Sequence, residues 1–86
     1  MVYVDDMYKS PMGRFGRMKM SHMTADSTKE LLDMAQKIGL NTKWVQKSGT
    51  KYEHFDVSMS MRSKAIESGA VEITMKESVG IVNRKQ

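Results

Sequence analysis

The sequence predicts an α/β fold: a small, three-strand, mainly parallel sheet flanked by about three helices, in one domain over residues 1–86. Three observations predict it. Short β-branched and aromatic runs alternate with segments of helical periodicity, two of those segments open on capping boxes, and 86 residues suffice for one core only. The order reads β-α-β-(extended)-α-β-α, and strands alternating with helices join through right-handed crossovers into a parallel sheet. An α+β arrangement with an antiparallel hairpin over 43–57 is the alternative.

Val2-Tyr3-Val4 reads as the first strand, ended by Asp5 and Asp6. Residues 7–23 hold Pro11, Gly13 and Gly16 and read as a long loop that covers a ligand. Ser27-Thr28-Lys29-Glu30 is a capping box, in which serine and glutamate satisfy free amides reciprocally. Leu31, Met34, Ala35 and Ile38 follow at helical spacing, Asp33 and Lys37 stand four residues apart, and Gly39 closes the helix. Lys43-Trp44-Val45-Gln46 reads as a second strand with Trp44 in the core, and Ser48-Gly49-Thr50 as a turn. Residues 52–57 read as extended. Ser58 or Ser60 caps a second helix through Met61, Ala65 and Ile66 that ends at Gly69. Val71-Glu72-Ile73 is the third strand. Thr74-Met75-Lys76-Glu77 is another capping box, and Arg84 and Lys85 suit the negative end of the last helix.

Composition narrows the function classes. Apolar residues at 40% and charged residues at 28% are those of a globular domain, not a disordered one. The absence of cysteine excludes thiolate zinc sites and cysteine nucleophiles, and favours a reducing, cytoplasmic setting. No apolar run reaches membrane-spanning length, and the start of the chain does not read as a signal peptide. A net charge of +4 suits a small anionic ligand, with nucleic acid kept among the alternatives. Lys9, Arg14, Arg17 and Lys19 form an acid-free stretch that reads as a phosphate-facing loop or, more plainly, as a solvated one. Ten methionines serve as adaptable core filler or as a pocket wall.

A polar constellation gathers at the predicted carboxyl ends of the strands, where parallel sheets bind ligands. Asp5 and Asp6 end the first strand, Gln46 ends the second, and the first loop brings His22. Asp26 sits at a helix start whose free amides could receive an anion. His54 and Asp56 alternate on an extended segment and share a face, and Arg62 lies on the helix that follows. Asp5, His22, His54 and Asp56 would suit a divalent ion with an open position, but no local ligand spacing supports one, so no metal or cofactor is assigned. No nucleophile elbow or Walker loop is present. No catalytic residue is assigned.

The ordered segments Val2-Tyr3-Val4-Asp5-Asp6, Gly16-Arg17-Met18, Ser21-His22-Met23, Ala25-Asp26-Ser27, Ile38-Gly39-Leu40, Trp44-Val45-Gln46, His54-Phe55-Asp56 and Ser68-Gly69-Ala70-Val71-Glu72 run through nearly the whole chain. Their order resembles that of the domain-of-unknown-function family 4031, small proteins of bacteria and tailed phages. The resemblance implies a shared fold and a shared polar site, and no established reaction. A phage origin would imply a protein that sequesters a host nucleotide signal in the host cytoplasm.

The sequence therefore points first to a binder of a phosphorylated, nucleotide-type molecule. Its expected contacts are Asp5, Asp6, Arg17, His22, Asp26, Gln46, His54, Asp56 and Arg62. The two arginines are expected on phosphate. Dimerisation or a higher homo-oligomer would extend so small a sheet. The alternatives are a metal-dependent phosphoesterase or nuclease, with Asp5 and Asp6 on the metal and His22 or His54 as base or ligand, and an interaction protein that inhibits a host enzyme through exposed methionines.

Overall fold

The computed structural model describes residues 1–85, apart from the side chain of Phe15. The chain forms β1 (Val2–Val4), β2 (Arg14–Phe15), β3 (Met18–Ala25), α1 (Thr28–Lys37), β4 (Phe55–Ser58), α2 (Met59–Glu67), β5 (Val71–Glu72) and α3 (Met75–Arg84). Tight 3-10 turns lie at Met7–Lys9, Pro11–Gly13 and Thr42–Trp44.

The sheet has four strands in the order β4-β3-β1-β5 and mixed direction, not three mainly parallel strands. Among the described residues only β1 and β5 pair in parallel; β3 is antiparallel to both of its neighbours in the sheet, β1 and β4. The difference arises in residues 7–23, expected as one loop. The short strand β2 turns back through Gly16, whose φ of 64° suits glycine, and pairs with the start of β3. The returning chain then becomes β3, the longest strand, lying beside β1 after a hairpin-like reversal and hence antiparallel.

The expected strand at 43–46 is a 3-10 turn instead. The Asn41 side chain accepts from the Lys43 amide and tightens the backbone there. Only Gln46 pairs, through an isolated antiparallel bridge to His54, and Trp44 is 68% exposed rather than core.

The helices follow their caps. Ser27, Ser58 and Thr74 each accept from the amide three residues on. The α3 box is reciprocal, whereas Glu30 of α1 turns to the Ser27 hydroxyl and the chain's terminal amine. Asp33 pairs with Lys29 rather than Lys37.

Period-2 alternation gives the sheet two unlike faces. Val2, Val4, Met23, Ala25, Phe55 and Val57 point one way and form the core with Leu31, Met34, Ala35 and Ile38 of α1 and Ala65 of α2. Tyr3, Asp5, His22, Thr24, His54 and Asp56 take the other parity and make a polar face. Residues of α3 lie across a cavity from that face. Among the described residues, no helix is long and apolar enough to cross a membrane.

Candidate functional site

Strand register assembles the site. Val4 stands opposite Met23, so the next position sets Asp5 opposite His22, with the Asp5 amide donating to the His22 carbonyl at 3.0 Å. On the other side of β3, His22 stands directly opposite Asp56. The Gln46–His54 bridge brings in the segment beyond β4. Four segments distant in sequence thus deliver Asp5, His22, Gln46, His54 and Asp56 to one place.

Asp5 is 1% exposed and fully engaged. Its Oδ1 accepts from the amides of Met7 at 3.1 Å and His22 at 2.9 Å, and its Oδ2 lies 2.8 Å from Nδ1 of His22. Burial opposes ionisation of Asp5, but hydrogen bonds from the His22 ring, the His22 amide and the Met7 amide outweigh it and hold the carboxyl below its ordinary range. The same contact with Asp5 raises the His22 imidazole above its ordinary value, against the desolvation that lowers it.

These contacts decide the tautomers. Nδ1 of His22 donates to an ionised carboxylate, and Nδ1 of His54 lies 2.8 Å from the Tyr52 carbonyl oxygen, which can only accept. Each neutral ring therefore presents a bare Nε2 lone pair. Both lone pairs face Asp56 Oδ1, at 3.9 Å from His22 and 3.5 Å from His54. The rings stand edge to face with centroids 4.9 Å apart. Gln46 Nε2 donates to the other oxygen of Asp56 at 2.8 Å and fixes which oxygen turns inward.

Two nitrogen lone pairs and a carboxylate oxygen converging without a shared hydrogen repel one another unless a proton on one ring or a metal cation lies between them. The three atoms lie within 4.8 Å of one another. A tetrahedral ion at about 2.0–2.1 Å would draw them to roughly 3.3 Å apart, a contraction within side-chain reach. Each prospective ligand is backed by a group that fixes its orientation: Asp5 behind His22, the Tyr52 carbonyl behind His54, Gln46 behind Asp56.

Beside this cluster lies a cavity of about 660 Å³, lined by His22, His54, Thr24 and Lys47, and by Met75, Val79 and Val82 of α3. Thr24 is 5% exposed, and its hydroxyl is the buried side-chain polar atom without a partner among the described residues.

The remaining expected contacts go elsewhere. Asp6 Oδ1 accepts from the Met75 amide at 2.9 Å and anchors the start of α3. Arg62 is 6% exposed and committed. Its Nε donates to the Asp5 carbonyl at 3.0 Å, its Nη1 meets Glu72 at 3.2 Å, and its guanidinium lies 4.7 Å from the Tyr8 ring centroid. It braces Asp5 and is not free to meet phosphate. Arg17 is exposed in the β2–β3 turn, some 15–17 Å along the strand from His22 by extended-chain rise. Asp26 accepts from the Tyr3 hydroxyl at 3.1 Å and meets the terminal amine at 3.4 Å, beside a separate cavity of about 420 Å³. Sequence reasoning missed Thr24, Lys47 and the α3 wall. Thr24 was legible only as the residue two beyond His22, on the same strand parity.

No curated protein and no solved structure matches this chain. A family model described as "Protein of unknown function (DUF4031)" matches residues 2–85, which is nearly the whole chain, and the protein belongs to that family.

Proposed function

We propose that this protein is a divalent-metal-dependent hydrolase of phosphoesters, with His22, His54 and Asp56 as the metal ligands. The observation that carries the reading is the convergence of two imidazole lone pairs and one carboxylate oxygen, each with its own orienting partner. Three protein ligands leave a coordination position open, the arrangement that distinguishes catalytic from structural sites. Two nitrogens and one oxygen suit zinc, cobalt or ferrous iron. Such an ion supplies Lewis acidity toward a phosphoryl oxygen and a water acidified at the open position.

The chain's own residues do the rest. Asp5 keeps the proton on Nδ1 of His22, the Tyr52 carbonyl does so for His54, and Gln46 turns Asp56. Lys47, at the rim of the cavity, is the cation available to an anionic substrate. Asp5 and Asp6 do not take the metal in this reading; they position the groups that do.

Binding of a nucleotide without turnover has less to rest on. Of the two arginines expected on phosphate, one is buried in fixed contacts and the other sits in a distant turn.

The test is titration of metal-free protein with zinc or cobalt, followed by assay with bis(p-nitrophenyl) phosphate. Binding of one ion per chain, loss of binding in His54→Ala and Asp56→Asn, and hydrolysis abolished by a chelator are expected. Absence of stoichiometric binding overturns the metal site. Stoichiometric binding with no turnover across a phosphoester panel overturns the hydrolase reading, and a nucleotide released from native protein in mass spectrometry would replace it with sequestration.

A further inference from the structure

We infer that the cavity between the polar sheet face and α3 takes a phosphodiester bearing a single negative charge and an apolar substituent. The inference rests on the metal reading above and names the substrate class for that site.

Size admits an organic ligand rather than a bare ion. About 660 Å³ lies within the roughly 300–1,000 Å³ of small-molecule pockets. The wall contributed by α3 is apolar where Met75, Val79 and Val82 face the cavity, and burying an aryl or alkyl group against it removes apolar area from water. Val79 is 60% exposed and Val82 partly so, although both belong to an amphipathic helix. The apolar stripe of α3 is thus only partly used by the fold, with Ile81 its one buried residue.

Charge selects the head. The two positive charges of a divalent ion are met by Asp56, which would touch it, and by Asp5, one imidazole away. Lys47 then stands as one positive charge without an acidic partner among the described residues. A single negative charge balances it. A nucleoside polyphosphate would bring several negative charges to a cavity whose lining offers Lys47 and the ion as its cations, beside the carboxylate of Asp5.

The backbone of Lys47 is also held in place. Among the described residues it is the non-glycine residue with positive φ, at 57°, and its carbonyl accepts from both the amide and the hydroxyl of Thr50. Placing a lysine in that conformation costs about 1 kcal/mol, which the Thr50 contacts offset, and the turn sets the ammonium-bearing residue on the cavity rim. Thr24 also lines the cavity, two residues from His22 on the same face. Its buried hydroxyl has no partner among the described residues, so a small rotation about its side-chain bond would be needed for it to donate to a phosphoryl or ester oxygen.

The experiment uses cobalt-loaded protein and three probes that separate charge from apolarity. Diphenyl phosphate carries one charge and apolar rings, dimethyl phosphate one charge and little apolar surface, phenyl phosphate two charges at pH 8. Calorimetry gives the affinities, and the cobalt visible spectrum reports whether each probe reaches the ion. Diphenyl phosphate is expected to bind about tenfold or more tighter than either of the others, a difference of about 1.4 kcal/mol. Val79→Asp, at an exposed position that does not endanger folding, should weaken diphenyl phosphate about tenfold and leave cobalt affinity unchanged within about twofold. Lys47→Gly, which suits the local backbone, should weaken all three probes. Equal affinities, or tightest binding of phenyl phosphate, overturn the substrate class and leave the metal site standing. Failure to take up cobalt overturns both.

Discussion

At the scale of single residues, Asp5 decides which nitrogen of His22 faces the cavity. In Asp5→Asn an amide group can replace the oxygen at Nδ1. The ring then accepts there and carries its proton on Nε2, where it can no longer ligate. The variant should fold, and its zinc affinity should fall about 10–100-fold by competition titration. Asp5→Ala should instead lose stability, because the Met7 and His22 amides are left unpaired, at about 2–4 kcal/mol in chemical unfolding. The Asp5–His22 contact also predicts a pH profile for metal-free protein. His22 is raised by folding, so its contribution is complete below the ordinary imidazole range and is lost as pH rises through the folded value. Asp5 is lowered, so its contribution is complete above the ordinary carboxylate range and is lost as pH falls through the folded value. Thermal stability should therefore peak in mildly acidic solution between those ranges. His22→Gln should flatten the alkaline limb; an unchanged limb would sink the assignment. The five clustered residues were legible as polar positions beside apolar ones. Their division into ligands and orienting groups was not, because a hydrogen bond such as Gln46 to Asp56 depends on register across segments ten residues apart.

At the scale of elements, the least legible segment was β3. Met18, Lys19, Met20, Ser21 and His22 lack the β-branched residues that mark strands, and Pro11, Gly13 and Gly16 just before them mark turns. Tertiary pairing on both sides overrides that weak local preference. Gly13 shows how tightly the preceding turns pack on it. A Cβ there would lie 2.2 Å from the Met7 carbonyl oxygen and 2.7 Å from that of Met20. Both are main-chain atoms that cannot rotate away. Gly13→Ala should cost about 2–3 kcal/mol in denaturant unfolding, an uncommon loss for so small a change. The helices were legible because caps are local. Thr74 and Glu77 could be read from four consecutive letters and make both expected hydrogen bonds. Thr74→Ala should cost about 1 kcal/mol, and hydrogen exchange should quicken along α3 while α1 stays protected.

For the molecule as a whole, the apolar face of the sheet and two helices supply the core, and the opposite face is given over to polar groups. A domain of 86 residues has little surplus stability. Binding an ion to the folded state alone should be visible as a large thermal shift. At about 100 times the dissociation constant the gain is about 2.7 kcal/mol, or some 10–20 °C for a domain of this size. Scanning calorimetry with increasing zinc measures it, and the shift should vanish in His54→Ala. The alternation of strands and helices leads to the expectation of a mainly parallel sheet, and of the pairings in the sheet the one between β1 and β5 is parallel. That alternation could not foretell that β3 stands antiparallel beside β1 and carries β4 antiparallel on its other side, since β3 grows from a hairpin inside an expected loop and β4 from the extended run at 52–57.

The adjacent residues Asp5 and Asp6 serve opposite walls of the cavity. One grips the imidazole on the sheet, and the next grips the first amide of α3. Arg62 clamps the carbonyl between them. Two consecutive residues thus tether the sheet-borne imidazole and the first turn of the facing helix to one point of the backbone, so a pull on that helix is felt at the Asp5–His22 contact.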